Sequence, residues 1–230
     1  MNVAIIAAAG QGKRMAGKRP KQFLDLAGTP IIIHTLKVFE QCDVIHEIIT
    51  VLEAEEIEGF LSLTRKFGLS KASKAVAGGA TRAESVFNGL KALDAPQVEI
   101  VAVHDGVRPF VTVDEITRTV AAAKLAGAAI LVSAEVDTVK LVSGGLVVDT
   151  LDRSKLRNAL TPQCFSYQLL ARAYRSVDVL DPTLTDESSL VERLGEKVVT
   201  VEGNSRNIKI TQAEDLVIGE AILKAVGSGQ

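Results

Sequence analysis

Cysteine is almost missing from this chain: Cys42 and Cys164 are its only two in 230 residues, far apart and in neither C-x-x-C nor metal-ligand spacing. A disulfide framework or a zinc knuckle is thereby excluded. Long apolar runs are missing as well, with no stretch approaching the roughly eighteen residues that a membrane-spanning helix needs. No charged segment followed by a cleavable apolar stretch opens the chain, so the expectation is a soluble, cytoplasmic protein. The formal net charge is only −2, which leaves no global field to draw nucleic acid or an acidic membrane. Any anion site must therefore be local. Histidine is scarce too: His34 and His46 fall within a helix and at a strand edge, and His104 reads as structural, so no Ser/His/Asp set forms. Repeats, low-complexity tracts and linkers are lacking, and 47% hydrophobic residues suffice for the core of one domain over 1–230.

What is present is alternation. Val3–Ala8, His46–Leu52, Lys74–Ala77, Glu99–Val103 and Ala128–Ala134 read as strands. Helix-like segments separate them: one opens at Thr29-Pro30 with proline at its first position, and another covers Glu53–Phe67 and ends at Gly68. Thr81/Glu84, Thr112/Glu115 and Thr211/Glu214 each fit a capping box. Strand–helix alternation implies an α/β fold with a mostly parallel, doubly wound sheet covered on both faces. One stretch breaks the rhythm. Thr138–Val142 and Leu146–Leu151, joined by Ser143-Gly144-Gly145, signal a protruding β-hairpin over about 136–156. An isolated hairpin needs a surface to lie on, either its own domain or a second subunit.

Ligands of an open α/β sheet bind beyond the carboxyl ends of the strands. Three loops there carry candidates. The first, Ala8-Ala9-Gly10-Gln11-Gly12, is followed by Lys13, Arg14, Lys18, Arg19 and Lys21. It matches neither the P-loop spacing nor the dinucleotide fingerprint, whose third small residue would fall at Met15. Glycines and cations still suit a phosphate, the plainer alternative being a turn with solvated lysines. The second loop places Gly78-Gly79 before a helix whose first turns carry Arg82 and Ser85, suiting a nucleotide or simply a well-capped helix. The third puts Asp105 at a strand end with Arg108 three residues on, to hold a metal or ribose and a phosphate, or merely to pair with each other. Asp186 and Glu187 read as a helix N-terminus rather than a catalytic pair.

Together "AAAGQGKRM", "PKQF", "GGATRAESV", "HDGVRPF", "DRSKLRNALTPQ", "LTDESS" and "NIKIT" occur in an order that resembles the 2-C-methyl-D-erythritol 4-phosphate cytidylyltransferases, from Val3 to about Leu223. The resemblance implies a Rossmann-like fold, transfer of CMP from CTP to the polyol phosphate, Mg²⁺, and a homodimer in which each hairpin arm covers the other active site. It implies Arg14 and Lys21 as catalytic cations, and Ala8, Ala9, Gly10 and Gly12 as the loop around CTP. Gly79, Arg82 and Ser85 correspond to cytosine recognition, and Asp105 and Gly106 to the ribose side. Asp105, Arg108, Arg153, Thr161, Thr185 and Lys209 correspond to polyol phosphate contacts, Arg153 coming from the partner. Asp105 is also the implied partner of Mg²⁺, directly or through water, the ion lying mainly on the CTP phosphates.

The chain departs from the family pattern at Gly106 and Val107, which would loosen their loop, at Ala80, where some members carry an acid, and at Arg157, where an aromatic is frequent. A ribitol-5-phosphate cytidylyltransferase shares the CTP motifs and is the alternative reading. A nicotinamide-dependent dehydrogenase and a non-catalytic nucleotide-binding protein are more distant ones.

Overall fold

The protein is described by a computed structural model over residues 1–10 and 20–227. Its elements run β1 (Asn2–Ala7), β2 (Asp25–Leu26), β3 (Thr29–Pro30), α1 (Ile31–Gln41), β4 (Glu47–Leu52), α2 (Ile57–Lys66), β5 (Lys74–Ala77), α3 (Arg82–Lys91) and β6 (Ile100–Asp105). They continue with α4 (Val113–Ala126), β7 (Ala128–Ala134), β8 (Lys140–Ser143), β9 (Leu146–Thr150), β10 (Arg157–Ser166), α5 (Tyr167–Arg175), α6 (Glu187–Arg193), β11 (Val199–Glu202) and α7 (Ala213–Gly227).

Seven strands form the main sheet in the order β11-β7-β10-β6-β1-β4-β5. All neighbours are parallel except β10, which runs antiparallel to both β6 and β7. The chain winds outward from β1 through β4 to β5, then crosses to the other side of β1 to lay down β6. That crossing is the topological switch point, where a crevice opens.

Alternation along β1 shows why the sheet is covered on both faces. Val3 and Ile5 enter the core cluster with α3, α5 and α6, whereas Ala4 and Ile6 enter the one with α1, α2 and α4. The register brings the strand ends level, pairing Ala7 with Val51 and with Asp105, and Leu52 with Ala77. The loops after β1, β4, β5 and β6 thus leave from one rim.

Several expectations shift. Pro30 precedes α1, with φ −56° and ψ 139°, and pairs with Asp25, because its extended backbone closes a short antiparallel bridge before the helix begins. The helix expected from Glu53 begins with a 3₁₀ turn at Ala54–Glu56 and becomes α-helical at Ile57. At Thr112 both halves of the capping box form. At Thr81 the hydroxyl accepts from the Glu84 N–H, but the Glu84 carboxylate accepts from Ala80 N instead. Before α7, Asp215 rather than Glu214 accepts from Thr211 N and Oγ1.

The hairpin of β8 and β9 is a separate two-stranded sheet. Its turn glycines, Gly144 and Gly145, have φ of +57° and +80°, the conformation that a tight hairpin turn requires and that β-carbons disfavour. Every residue of β8 and β9 is exposed, including Leu146 at 74% and Val147 at 62%.

Candidate active site

A cavity of about 810 Å³ lies over the switch point, lined by the ends of β1, β5 and β6, the segment at Lys21, and Lys209. Backbone hydrogen bonds carry the strand ladders into the loops that form its walls: Ala8 N to Val51 O, Gly78 N to Leu52 O, and Gly106 N to Ala7 O. Gly78 can have no side chain here. A β-carbon on it would lie 2.4 Å from Ala9 Cβ, so the first and second loops touch only because this residue is glycine.

Gly106 corrects an expectation. A β-carbon there would meet Ala8 Cβ at 3.0 Å, Val107 is buried, and Val107 O accepts from Ile210 N at 2.9 Å. Close packing fixes this loop; the small residue admits the neighbouring loop rather than loosening its own.

Asp105 is the electrostatic centre. Its Oδ2 accepts from Lys209 Nζ at 2.9 Å and from Arg108 Nε at 3.4 Å, and its Oδ1 faces Arg82 Nη2 at 3.5 Å. Burial alone would raise the carboxyl's pKa, but Arg82, Lys209 and Arg108 outweigh it and hold the group well below the carboxylate range. Asp105 is therefore an anion at neutral pH. Lys209 reaches it because Ile210, fully buried and bonded to Val107, pins the "NIKIT" segment beside the loop.

His104 and Thr161 hold Asp105 from behind. Burial pushes His104 down to about 4, so the ring is neutral at neutral pH. Its Nε2 lies 3.1 Å from the Arg108 carbonyl, which only accepts, so Nε2 carries the proton and Nδ1 is an acceptor. The Thr161 hydroxyl, 2.9 Å from Nδ1, must then donate to the ring, while its oxygen accepts from Asp105 N at 3.2 Å. Thr161 is buried and its one hydroxyl proton is committed. Asn207 completes the brace, donating to Thr161 O at 2.9 Å and accepting Arg108 Nη1 on its own carbonyl at 2.8 Å.

The second loop is held by its own side chains. Ser85 Oγ donates to Thr81 O and accepts from Gly79 N, and Thr81 Oγ1 donates to Val179 O. Arg82 is gripped by Glu187, whose Oε1 accepts from Nη1 at 2.8 Å and whose Oε2 accepts from Nη2 at 3.1 Å.

Ala8, Ala9, Gly10, Lys21, Gly79, Arg82, Ser85, Asp105 and Lys209 thus come together around one cavity. Gly106, Arg108 and Thr161 stand directly behind Asp105. Gly12 and Arg14 lie outside the described residues, as do Lys13, Lys18 and Arg19. Thr185 is exposed just before α6 and is not among the residues that line the cavity. Arg153 is likewise absent from this chain's own cavity: it sits at the base of the hairpin, donating to Val136 O at 2.6 Å. Arg157 pairs with Glu202 at 2.7 Å across the edge of the sheet.

Three further residues matter. Gln22 is buried and donates to Ala8 O at 2.6 Å, which ties the segment bearing Lys21 to the end of β1. Glu53, at the end of β4, places a second carboxylate on the cavity wall. Glu187 aims Arg82. The first lies inside the quoted "PKQF" and Glu187 inside "LTDESS", where it reads only as part of a helix N-terminus; its partner Arg82, like the surroundings of Glu53, comes from distant chain segments.

A family profile described as IspD, 2-C-methyl-D-erythritol 4-phosphate cytidylyltransferase, matches residues 2–225. Proteins carrying that name from Halalkalibacterium halodurans and Bacillus velezensis are 45% and 46% identical over 219 and 224 residues, covering at least 95% of each chain. Among solved structures, the 4-diphosphocytidyl-2C-methyl-D-erythritol synthase of Anaerococcus prevotii superposes with a TM-score of 0.85 at 34% identity, covering 97% of this chain and 98% of its own. The 2-C-methyl-D-erythritol 4-phosphate cytidylyltransferase of Thermus thermophilus gives 0.77 at 30% identity, with 96% and 98% covered.

Proposed function

The chain belongs to the 2-C-methyl-D-erythritol 4-phosphate cytidylyltransferase family, and we propose how its cavity transfers CMP from CTP to 2-C-methyl-D-erythritol 4-phosphate. The reaction releases pyrophosphate and forms 4-diphosphocytidyl-2-C-methyl-D-erythritol, a step of the non-mevalonate route to isoprenoids. The observation that carries the proposal is the single ionised Asp105 shared by Arg82, Arg108 and Lys209 at the cavity wall, with Lys21 on the same wall.

A phosphate monoester has a second pKa of about 6 and is largely dianionic at pH 7. An oxygen of that dianion attacks the α-phosphorus of CTP, and the bond from that phosphorus to the bridging oxygen of pyrophosphate breaks. No general base is required. His104, neutral and with both nitrogens engaged, supports this, because it has no free site at which to take a proton. The difficulty lies in bringing two polyanions together while negative charge grows on the leaving pyrophosphate. Preorganised cations meet it by electrostatics and in-line positioning.

In this reading Arg14 and Lys21 act on the triphosphate and the α-phosphorus, and Ala8, Ala9, Gly10 and Gly12 wrap it. Gly79, Arg82 and Ser85 face the base, and Asp105 with Gly106 meets the ribose side. Arg108 and Lys209 receive the polyol phosphate together with Thr185 and the partner's Arg153. Thr161 serves through Asp105 rather than as a donor to phosphate, since His104 takes its proton.

Among the described residues, no group of three or more His, Cys, Asp or Glu side chains is arranged to hold a metal. Mg²⁺ takes phosphate oxygens, waters and at most one or two carboxylates, and in this reading the protein offers it one. Asp105 would be that carboxylate, and the bound ion would supply charge neutralisation on the triphosphate.

The arm supports a homodimer. Leu141, Val142, Leu146, Val147 and Val148 are all at least half exposed on a hairpin that does not join the main sheet. Covering what remains exposed of side chains of this size returns less than the roughly 1.5–3 kcal/mol of a full burial for each, and in this reading Arg153, at the arm's base, reaches into the partner's cavity. No described helix is long and apolar enough to cross a membrane, and we place the enzyme in the cytoplasm with its charged substrates. Comparing pyrophosphate release from CTP with 2-C-methyl-D-erythritol 4-phosphate and with ribitol 5-phosphate tests the reading. Faster turnover of the first is expected; preference for the second would overturn the substrate assignment.

A further inference from the structure

Glu187 is almost wholly buried, 1% exposed, at the first position of α6. It has no capping duty there, because Asp186 Oδ1 already accepts from Ser189 N. Its carboxylate turns inward instead, accepting both terminal nitrogens of Arg82 and, on Oε1, the Tyr174 hydroxyl at 2.9 Å. Burial and the adjacent Glu187 hold the Tyr174 phenol well above its ordinary pKa, so it remains a donor.

A buried ion pair of this kind adds little stability, since apolar side chains of equal volume would serve the core as well. What it does determine is the direction and effective charge of Arg82. That guanidinium pairs with Glu187 through both terminal nitrogens, and the pair is formally neutral; Asp105, 3.5 Å away, is shared with the closer Lys209 and Arg108. A phosphate gains little from a cation so compensated. The guanidinium still has five N–H donors, and those not engaged by the carboxylates suit an uncharged oxygen or nitrogen. Arg82 lines the cavity with its side chain 29% exposed.

We infer that Glu187, braced by Tyr174, is a positioning residue that compensates and aims Arg82, so that Arg82 reads an uncharged acceptor on the nucleotide base rather than a phosphate oxygen. This deepens the proposed CTP site and rests on it.

Glu187→Gln keeps the side chain's size and removes its charge. Calorimetry with CTP and UTP should show wild type preferring CTP, and the variant losing at least fivefold of that preference as its uncompensated Arg82 turns to phosphate. Tyr174→Phe should shift the ratio in the same direction by two- to threefold, and it serves if Glu187→Gln does not fold. Arg82→Ala/Glu187→Gln should discriminate no worse than Arg82→Ala, because Glu187 acts through Arg82. An unchanged CTP:UTP ratio in both single variants, or multiplying losses in the double variant, would overturn the inference. Wild-type chain that binds CTP selectively but releases no pyrophosphate with any polyol phosphate would instead sink the functional reading and leave this one standing.

Discussion

Lys209 Nζ stands 2.9 Å from Asp105 Oδ2, joining the segment before α7 to the end of β6. The contact brings a late cation onto an anion already shared with Arg82 and Arg108. Asp105→Asn removes the common anion. Turnover should fall at least a hundredfold, and stability should fall by about 2 kcal/mol, less than for a fully enclosed pair because Lys209 remains open to solvent. Steady-state kinetics and urea titration check both effects; activity within threefold of wild type would remove Asp105 from the account.

Lys21→Ala and Arg14→Ala should each lower turnover by orders of magnitude with unfolding midpoints near wild type. Removing one preorganised charge donor typically costs a hundredfold to a thousandfold. Near-normal turnover in either folded variant would contradict the catalytic assignment.

The pH response has a definite sign. His104 is neutral in the fold with a pKa pushed down to about 4, against 6.5 ordinarily. The unfolded chain therefore binds the extra proton first, and stability declines as pH falls from 6.5 towards 4, by on the order of 3 kcal/mol. Asp105 adds a further loss at lower pH, beginning near the ordinary carboxylate value and continuing towards its depressed one. Urea midpoints across this range measure the slope. His104→Gln should flatten the segment between pH 6.5 and 4 even if it lowers stability at pH 7; an unaltered slope would assign it to other groups.

Gly78→Ala drives a methyl into Ala9 Cβ, 2.4 Å away. Separating the two loops should raise KM for CTP about tenfold. Gly78→Ala/Ala9→Gly restores the missing space and should recover part of the loss. No recovery, measured by CTP titration, would mean that the contact does not shape the cavity.

Arg153 should act across subunits. Mixed dimers of Arg153→Ala and Lys21→Ala chains contain one intact composite site and should regain activity that neither homodimer has. Verified mixed dimers without recovery would confine each site to one chain.

Much of the fold was legible locally. Lys74–Ala77 and Ala128–Ala134 are strands over the stated residues, since apolar runs bounded by turn residues leave little choice. The hairpin was legible because two adjacent glycines permit its turn. β10 was not: Arg157–Ser166 contains Pro162 and polar Thr161 and Gln163, which a strand pattern rejects. The strand accommodates them where its register against β7 shifts between Ala159 and Gln163, and both polar side chains spend their hydrogen bonds on tertiary partners. β11 pairs only with β7 at the sheet edge and lacked a buried pattern for the same reason. The rim residues could be located from strand ends and motif order. Glu187 could not, because its partner, Arg82, lies at the start of α3 and only the packing of α6 against the sheet brings them together.

The most direct test is ³¹P NMR of one mixture holding the protein, CTP, 2-C-methyl-D-erythritol 4-phosphate and Mg²⁺. The account predicts equimolar growth of inorganic pyrophosphate and a new phosphodiester-linked diphosphate, with the monoester signal disappearing in step. Unchanged spectra from folded protein, or CTP breakdown with the monoester intact, would contradict it.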